Sequence, residues 1–400
     1  MTSTQQSIMD YVEQEDVRFI RLVFCDIHGK QKNIAIMPDK LPEAFSDGIA
    51  VDSGAVEGFD EENGADLYLF PIPYTFSVLP WRSINGKVIR MFCNLKHSDG
   101  TPFVSDPRLI LEKAIDRADE KGITVLFGTN FEFYLFKTDE QGEPTSEPFD
   151  RAGYMDIAPE DRGENVRREI CLTLNEMGIR PESSHHEEGP SQNEIDFMSS
   201  EAMNAAEKAL NFVTVVKAVA SRNGLYADFS PKPIPGESGN GLHINISLKS
   251  TDGIDHLDAF MAGIMAHAGE LSAYLNTTEH SYSRLGEKKA PKYVTWAPEN
   301  RSQFIRVPAP KHGVRSFELR SPDPMLSPYI AFALLIHAGM DGIEKNMTLC
   351  PPVNLNMYTA SEDVTRGLTK LPESLAEARK IAAESEFIRN ILPASYIPEE

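Results

Sequence analysis

Several short segments of this sequence place a charged or polar residue between apolar neighbours with a period of two. In the segment NFEFYL, residues 130–135, the polar positions are Asn130, Glu132 and Tyr134, and apolar residues lie between them. Successive side chains of a β-strand point to opposite faces, so the apolar set is expected to face a core and the polar set to face away from it. The pattern predicts a sheet with one buried face and one face that lines a cleft.

Three further segments supply groups of the same kind. His243 lies between Leu242 and Ile244, Glu318 follows Phe317, and residues 185–194 read HHEEGPSQNE. One such glutamate alone would more simply belong to a solvated sheet face. Carboxylates and a histidine from four separate segments instead favour a shared cleft that binds hard divalent cations and handles phosphate.

Length and charge limit the class of protein. The chain has 400 residues, 41% of them hydrophobic, which favours two domains or one large α/β unit with a smaller appendage. With 39 basic and 60 acidic residues the formal net charge is −21, so nucleic acid and anionic membrane surfaces are not expected partners. An anionic small substrate would require local arginines or metal ions that reverse the sign.

The cysteines and the first residues indicate the compartment. The four cysteines form no C-x-x-C pair, which predicts neither a zinc knuckle nor a disulfide framework and fits a reducing cytoplasm. The N-terminus lacks the basic and apolar regions of a signal peptide, and the longest uncharged apolar stretch, 329–340, is too short to span a bilayer. We therefore expect a cytoplasmic protein without a membrane segment.

Turn and cap signals divide the chain into two regions. The first hundred residues read as a small α+β domain, with strands at 17–26, 33–36 and 88–94, the last after an Asn85-Gly86 turn. Asp106-Pro107 then offers an N-cap and an N1 proline for a helix that opens the second region. There, strands at 125–136, 195–197 and 243–248 alternate with helices at 164–177 and 202–221. The expected architecture is α+β, with helices behind a curved sheet.

Several of these stretches together resemble type I glutamine synthetase, in the same order along nearly the whole chain. The matching motifs are GTNFEF (128–133), HHE…QNE (185–194), PKP (231–233), GNGLH (239–243), NRS (300–302) with RVP (306–308), and ELRSPDP (318–324). DGTPF (99–103) with DPR (106–108) matches the junction between the two domains of that family. The resemblance implies a β-grasp domain over residues 1–101 and a catalytic domain over 102–400, with a curved antiparallel sheet backed by helices.

The resemblance also implies an activity. The family is expected to phosphorylate the γ-carboxylate of glutamate with ATP and then let an amine, by default ammonia, displace the phosphate. Two to three sites for Mg²⁺ or Mn²⁺ and a dodecamer of two stacked hexamers are further expectations of the same kind. Glutamate, ATP, ammonia or another amine, and identical subunits are thus the implied partners.

The resemblance assigns roles residue by residue. It makes Glu132, Glu187 and Glu194 ligands of a first metal, and His243 and Glu318 ligands of a second. It assigns glutamate binding to Gly239, Arg284 and Arg320, nucleotide and phosphate binding to Ser247, Arg301 and Arg306, and catalytic roles to Asp52, Arg301 and Glu287. Asp52 matches an aspartate that a neighbouring subunit lends to the ammonium site.

The chain departs from the family pattern on the amine and γ-phosphate side. Asn130 stands where a second-metal glutamate is expected. Ser316 replaces an arginine for which adjacent Arg315 is the candidate substitute, and Ala55 replaces a serine. The flap is one residue shorter, and Lys289 stands where a glutamate normally closes the site and accepts a proton from ammonium. Glu287 is the candidate replacement for that glutamate.

These departures leave three functions open. The first is an ATP-dependent glutamate ligase that uses ammonia, which we expect to be slow because a charged lysine cannot accept a proton. The second is a ligase for another amine, such as a γ-glutamyl-amine or γ-glutamyl-polyamine synthetase. The third is a non-catalytic protein that binds glutamate or nucleotide.

Overall fold

The computed structural model describes residues 2–59, 64–82, 86–311 and 313–398, which form a small N-terminal domain and a larger second domain. The helices and strands of the small domain are α1 (Ser3–Gln14), β1 (Val17–Cys25), β2 (Gln31–Ile36), α2 (Leu41–Ser46), β3 (Ile49–Asp52), β4 (Asp66–Pro71), β5 (Ser77–Val78) and β6 (Lys87–Lys96). None of the helices in the described ranges is both long enough and apolar enough to cross a membrane.

The small domain is built on one mixed sheet. Its strand order is β2-β1-β6-β4-β3, with β5 paired to β6, and β1 and β6 run parallel. The strands predicted at 17–26, 33–36 and 88–94 are confirmed as β1, β2 and β6. Asn85 of the predicted turn lies outside the described residues. The fully buried residues of this sheet include Ile20, Leu22, Leu69, Ile89 and Met91.

The second domain contains most of the helices. Its elements up to the middle of the chain are α3 (Pro107–Glu120), β7 (Ile123–Thr138), β8 (Pro144–Pro148), α4 (Glu164–Glu176), β9 (Pro181–His186), β10 (Gln192–Phe197), β11 (Ser200–Glu201), α5 (Ala202–Arg222) and β12 (Leu225–Asp228). The remaining elements are β13 (Leu242–Ser250), α6 (Leu257–Ala266), α7 (Ala268–Leu275), α8 (Glu279–Arg284), β14 (Trp296–Pro298), β15 (Ile305–Val307), β16 (Phe317–Leu319), α9 (Pro328–Glu344), α10 (Glu362–Thr365), α11 (Leu375–Glu384) and α12 (Glu386–Ile391).

The long strand β7 organises the sheet of the second domain. The strand order is β14-β15-β16-β13-β7-β10-β9, and β8, β11 and β12 pair with other parts of β7. Pairing is antiparallel throughout except between β14 and β15. Because β7 has 16 residues, it can pair with β13 along its first half and with β10 and β12 along its second. The strands predicted at 125–136, 195–197 and 243–248 are confirmed.

Two helices cover the apolar face of β7. Phe127 stacks on Phe332 of α9 with ring centroids 4.3 Å apart, and Phe131 lies 4.7 Å from Phe212 of α5. Removing each of these rings from water contributes about 1.5–3 kcal/mol. The predicted alternation is confirmed. Tyr134, on the opposite face, is also buried, so loops cover the polar side of this strand.

The start of α3 joins the two domains. The side chain of Asp106 accepts a hydrogen bond from the Arg108 backbone N–H at 3.0 Å, and Pro107 follows it, which confirms the predicted cap. The other oxygen of Asp106 accepts from the backbone N–H of Leu95 in β6 at 3.1 Å. Arg108 reaches Glu207 of α5 at 3.2 Å. One helix terminus thus fixes the small domain against the helices behind the large sheet.

Close packing of α6 against α9 gives a test of this arrangement. A β-carbon on Gly342 would lie 2.1 Å from the Ala259 carbonyl oxygen and 2.7 Å from the Gly263 nitrogen, both backbone atoms. We expect Gly342→Ala to lower the free energy of unfolding by about 1–3 kcal/mol through overpacking, measured by urea denaturation.

Gly269 of α7 is the matched control. Its added β-carbon would approach only the Cγ2 atom of Ile381, at 3.8 Å. Gly269→Ala is therefore expected to raise stability by up to about 1 kcal/mol, since alanine favours a helix over glycine. Equal effects of the two substitutions would contradict the described helix contact.

Candidate active site

Strand register brings the predicted polar residues onto one face of the large sheet. Glu194 of β10 lies directly opposite Glu132 of β7, and His243 of β13 lies opposite Asn130. The adjacent strand β16 carries Glu318 next to β13. Directly opposed residues of an antiparallel pair share a face, with β-carbons about 4.5–5.5 Å apart. The residues therefore line one shared surface, as the sequence pattern predicted.

Three buried glutamates form a cluster on this face, which we call the acidic cluster. Each of Glu132, Glu187 and Glu194 contributes one carboxylate oxygen, and these atoms lie within 4.8 Å of one another. Glu132 accepts hydrogen bonds from the backbone N–H of Gly241 at 2.7 Å and from Nε2 of Gln192 at 3.2 Å. These donors hold the Glu132 carboxylate in place within the cleft.

Burial and mutual repulsion set the protonation of the acidic cluster when no cation is bound. Burial, followed by the charge of Glu187, raises the pKa of Glu132 to about 7. Burial and the charge of Glu132 raise the pKa of Glu194 well above its ordinary value. Burial also acts to raise the pKa of Glu187, but hydrogen bonding from His185 and the ion pair with Lys289 hold it at about 2. The three groups cannot all ionise cheaply without a positive charge among them.

The donor set of the acidic cluster fits a hard divalent ion. Carboxylate oxygens are the ligands that Mg²⁺ and Mn²⁺ prefer. A buried group of three carboxylates, two of them with raised pKa values, also has the electrostatic character of a cation site. The geometry therefore agrees with the prediction that these glutamates bind one metal, and metal binding itself stays a prediction.

A hydrogen-bond network supports the loop that carries Glu187. Asp150 accepts from the backbone N–H of Ser191 at 3.0 Å and from that of Arg162 at 3.1 Å, and lies 2.9 Å from Nε2 of His186. The other ring nitrogen of His186 lies 2.6 Å from the Glu187 carbonyl oxygen. Protein groups already occupy these polar atoms, so the network has a structural role and fixes the backbone next to the cluster.

The second predicted metal pair is electrostatically different. Nδ1 of His243 and a carboxylate oxygen of Glu318 are 3.4 Å apart. Glu318 is ion-paired with Arg306 at 2.8 Å and with Arg320 at 2.5 Å. Burial, followed by the charge of Arg320, lowers the pKa of His243 well below its ordinary value, so its imidazole is neutral. This region has few uncompensated negative charges.

Asn130 also lies in this second region, but it contributes no charged oxygen. Its amide nitrogen donates to Glu194 at 3.3 Å, and its amide oxygen accepts from Nδ2 of Asn245 at 2.9 Å. Asn130 therefore bridges the acidic cluster and β13 instead of presenting a charged oxygen. Any ion at this position would need additional oxygens from a phosphate group.

The predicted glutamate-binding residues lie at the edge of the cleft. Arg284 is buried and donates to the carbonyl oxygens of Ser321 at 2.8 Å and Arg320 at 3.3 Å. A β-carbon at Gly239 would lie 2.4 Å from the Pro231 carbonyl oxygen and 2.9 Å from Cγ of Arg284. Only glycine fits there, so Gly239 lets the backbone approach Arg284 closely.

The predicted nucleotide residues are spread along the sheet. Ser247 is buried and, four residues after His243 in β13, faces the same side of the sheet. Arg301 is exposed, and its carbonyl oxygen accepts a hydrogen bond from the Tyr358 hydroxyl at 3.1 Å.

Asp52 lies at the exposed end of β3, where it accepts from the backbone N–H of Gly54 at 3.0 Å. Its recorded contacts in the described ranges include no residue of the cleft.

Lys289 reaches into the acidic cluster. Its ammonium nitrogen lies 2.9 Å from Glu187, 3.5 Å from Glu188 and 4.7 Å from the ring centroid of Tyr154. The backbone of Lys289 has φ of 62°, a conformation that is uncommon for residues other than glycine. The lysine that replaces the expected flap glutamate thus faces the cleft.

The two candidate substitutes lie elsewhere. The side chain of Glu287 is 57% exposed and pairs with Lys232 at 3.2 Å, at the rim of the cleft. Arg315, next to Ser316, pairs with Asp255 at 2.6 Å and Asp258 at 2.7 Å on the surface. Within the segment 285–291 the side chain of Lys289 thus points toward Glu187, whereas that of Glu287 points to the rim. Neither substitute contacts the acidic cluster in this conformation.

Sequence reasoning missed several residues of the cleft. Gln192 contacts Glu132, Gly239 and Asn240. It belongs to the QNE motif, so its closeness in sequence to the predicted ligand Glu194 could have indicated a place in the cleft. Tyr154 and Glu188 lie in loops without periodicity. Only the three-dimensional path of the chain brings them to Lys289.

Two family models match the chain: the β-grasp domain of glutamine synthetase over residues 16–98 and its catalytic domain over residues 104–399. The chain belongs to the glutamine synthetase family. Two of its relatives named glutamine synthetase come from Clostridium saccharobutylicum, 40% identical, and Methanosarcina mazei, 39% identical. The first alignment covers 97% of this chain and 91% of the relative, and the second covers 98% and 91%.

Two solved structures are similar to this chain over nearly its whole length. The chain is similar to a structure titled "GmaS/ADP complex-Conformation 1", with a TM-score of 0.86 and 27% sequence identity, over 97% of this chain and 92% of the other. The structure titled "Apo GmaS without ligand" gives a TM-score of 0.87 at the same identity and coverage. As in the family, the β-grasp domain precedes the catalytic domain with its curved sheet.

The acidic cluster predicts a measurable metal affinity. Glu194→Gln should weaken the binding of Mn²⁺ or Mg²⁺ in isothermal titration calorimetry, because it removes one of three negative ligands. Glu176→Gln, on the exposed end of α4, is the matched control and should leave the titration unchanged. Unaltered binding in Glu194→Gln would reject the cluster as a metal site.

The raised pKa of Glu132 predicts that the stability of the protein depends on pH when a chelator removes metal ions. Folding favours the protonated form of Glu132. This form's contribution to the free energy of unfolding is complete below the ordinary pKa of a glutamate and is lost as pH rises through about 7. In EDTA, the melting temperature should therefore fall as pH rises from about 4.5 to about 7 and level off above that range. The loss should be smaller in Glu132→Gln, and added Mg²⁺ should oppose it. Identical pH profiles of the two proteins would contradict the assigned protonation.

Proposed function

We propose that this protein forms an amide at the γ-carboxylate of glutamate at the expense of ATP, with γ-glutamyl phosphate as intermediate. Membership of the glutamine synthetase family supports an ATP-dependent glutamate ligase that uses divalent metals. The observation that carries the proposal is one face of the large sheet that holds the buried acidic cluster and the Arg306–Glu318–Arg320 group. Negative and positive groups side by side suit a metal-bound phosphate and an anionic amino acid.

The proposed roles divide between the two regions. Glu132, Glu187 and Glu194 would hold one divalent ion, and His243 with Glu318 would hold a second together with phosphate oxygens. When bound, these ions supply positive charge that stabilises phosphoryl transfer. A cytoplasmic location is proposed with this activity, and the four free cysteines are compatible with it.

The arginines are proposed to orient the two anionic substrates. Arg320 and Arg284 would bind glutamate carboxylates, and Arg301 and Arg306 would bind phosphate, with Ser247 near the nucleotide base. A guanidinium group offers paired donors that match the planar geometry of a carboxylate. Arg306 already lies 2.8 Å from Glu318, so a phosphate that enters beside Glu318 would find this guanidinium group in place.

Ammonia is the first candidate amine, because the curated relatives are named glutamine synthetase. A different amine is the second candidate. The observation that favours it is the ammonium group of Lys289, which lies 2.9 Å from Glu187 where the family pattern has a flap glutamate. Lys289 cannot accept a proton while charged, and its charge opposes the entry of free ammonium.

Hydroxylamine provides a test that does not depend on the amine pocket. It is largely neutral near pH 7 and traps an acyl phosphate as a hydroxamate. With ATP, glutamate and Mg²⁺ or Mn²⁺, we expect γ-glutamyl hydroxamate to accumulate, and Glu318→Gln to lower the rate by about 10²-fold or more. Glu176→Gln should behave like the wild-type protein. If neither hydroxamate nor ATP turnover is detected, the result would favour a non-catalytic binding protein.

We also propose a dodecamer of two stacked hexamers in which Asp52 completes a neighbouring site. Its exposed position at the end of β3 is compatible with this role. Head-to-tail contacts within a ring would place the same surface next to the cleft of every neighbour.

Subunit mixing tests this assembly. Rings of Asp52→Asn alone and of Glu194→Gln alone should both be poorly active. After dissociation and reassembly in equal amounts, about one interface in four combines an intact Asp52 with an intact acidic cluster, so activity should partly return. Light scattering that finds only monomers, or mixed rings without recovered activity, would contradict a shared site.

A further inference from the structure

A cavity lies behind the large sheet, on the side away from the acidic cluster. Its volume is about 970 Å³, which is the size of a small-molecule site. Phe131 of β7 and Leu242 of β13 form part of its wall and lie opposite each other in the sheet. They immediately precede Glu132 and His243, whose side chains point to the other face. Within the described part of the chain, none of the proposed active-site residues lines this cavity.

The interior of the cavity is apolar. The buried apolar side chains along its walls include Phe131, Leu210, Phe229, Leu242, Leu326 and Ile330. Apolar surface that moves from water into such surroundings gains free energy in proportion to its area. The interior therefore suits a ligand with an extended apolar body.

The mouth of the cavity is cationic. Lys30, Lys217 and Arg379 line it, all three are exposed, and none has an ion pair recorded within the described ranges. Among the described residues, no aspartate or glutamate lines the cavity, although the chain has 60 acidic and 39 basic residues. The charge of the molecule is thus reversed locally, and such a surface attracts an anion.

Two of these cations lie near each other. The ammonium nitrogen of Lys217 lies 5.7 Å from the ring centroid of Phe229, which belongs to the wall. Partial burial lowers the pKa of Lys217, the charge of Asp228 opposes this shift, and the charge of Lys30 adds to it. The ammonium groups of Lys30 and Lys217 therefore repel each other, and an anion bound beside both would relieve the repulsion.

A hydroxyl group without a partner lies near the same end of the cavity. Ser327 is buried and lines the cavity, and its Oγ has no hydrogen-bond partner in the described part of the chain. A β-carbon added to Gly29, the residue before Lys30, would lie 2.8 Å from this Oγ. A buried hydroxyl without a partner is costly, so a ligand oxygen that accepts its hydrogen bond would be held firmly.

We propose that this cavity binds an organic anion in which one carboxylate is joined to an extended apolar body. The carboxylate pairs with Lys30 and Lys217 and accepts a hydrogen bond from Ser327. The apolar body lies against Phe131 and Leu242. A fatty acid and an aromatic carboxylate share this chemistry, and the site is independent of the proposed ligase activity.

Calorimetric titration of the full chain tests the class of ligand. Decanoate and 1-naphthaleneacetate represent the two sources of the anion, and decyltrimethylammonium carries an alkyl chain like that of decanoate with the opposite charge. At least one of the two carboxylates should bind about tenfold or more tightly than decyltrimethylammonium, although the net charge of −21 favours the cation.

The titrations also identify the apolar body. Binding of decanoate alone indicates a fatty acid, and binding of 1-naphthaleneacetate alone indicates an aromatic carboxylate. For a fatty acid, the affinity should rise from hexanoate to decanoate by about fourfold for each buried methylene group. Tighter binding of decyltrimethylammonium than of both carboxylates would overturn the proposal.

Substitutions locate the bound anion. A protein with both Lys30→Gln and Lys217→Gln should bind the preferred carboxylate about tenfold more weakly. Ser327→Ala should weaken binding about fivefold without lowering the melting temperature, because this hydroxyl bonds no described protein group. Lys113→Gln, on the exposed face of α3, is the matched control and should bind like the wild-type protein. Equal affinities of the wild-type protein and the double variant would overturn the proposal.

Discussion

Repulsion among three buried carboxylates is the constraint on which the rest of the cleft depends. The antiparallel pairing of β7 with β10 places Glu132 and Glu194 opposite each other, and the loop before β10 adds Glu187. In a low-dielectric cleft such groups repel strongly unless they bind protons or a cation. The aromatic core behind β7, where Phe127 and Phe131 pack on two helices, holds the strand in register in spite of that repulsion. The core therefore maintains a site that is unfavourable by itself.

The two halves of the cleft differ in how many cationic side chains neutralise their carboxylates. The acidic cluster has a cationic partner on one side, Lys289, whereas Glu318 is held between Arg306 and Arg320. A divalent ion should accordingly bind the acidic cluster on its own and bind near Glu318 only with phosphate oxygens. Asn130 reinforces this difference, because it brings an amide between the two regions where a charged residue would have made them similar.

Local patterns predicted the strands and the cap well, because their causes are local. The alternation at 130–135 follows from the pleat of one strand, and the Asp106 cap requires only a carboxylate before a proline. The family motifs likewise indicated which residues the register would bring together. Tyr154 could not be predicted in this way, since its position beside Lys289 depends on two loops that are distant in sequence. The direction of Lys289 was hidden for the same reason, because loop conformation and not residue type decides which side chain points inward.

The loop that carries Glu187 has hydrogen-bond support of its own, which does not involve the flap segment 285–291. Asp150 accepts hydrogen bonds from the backbone N–H of Ser191, at the end of the loop 187–191, and from that of Arg162. A change in the segment 285–291 can therefore alter the charge beside Glu187 while the acidic cluster stays in place. A shorter flap that presents a cation instead of a carboxylate changes two properties at once. It removes a proton acceptor, and it places a positive charge beside the buried carboxylate of Glu187.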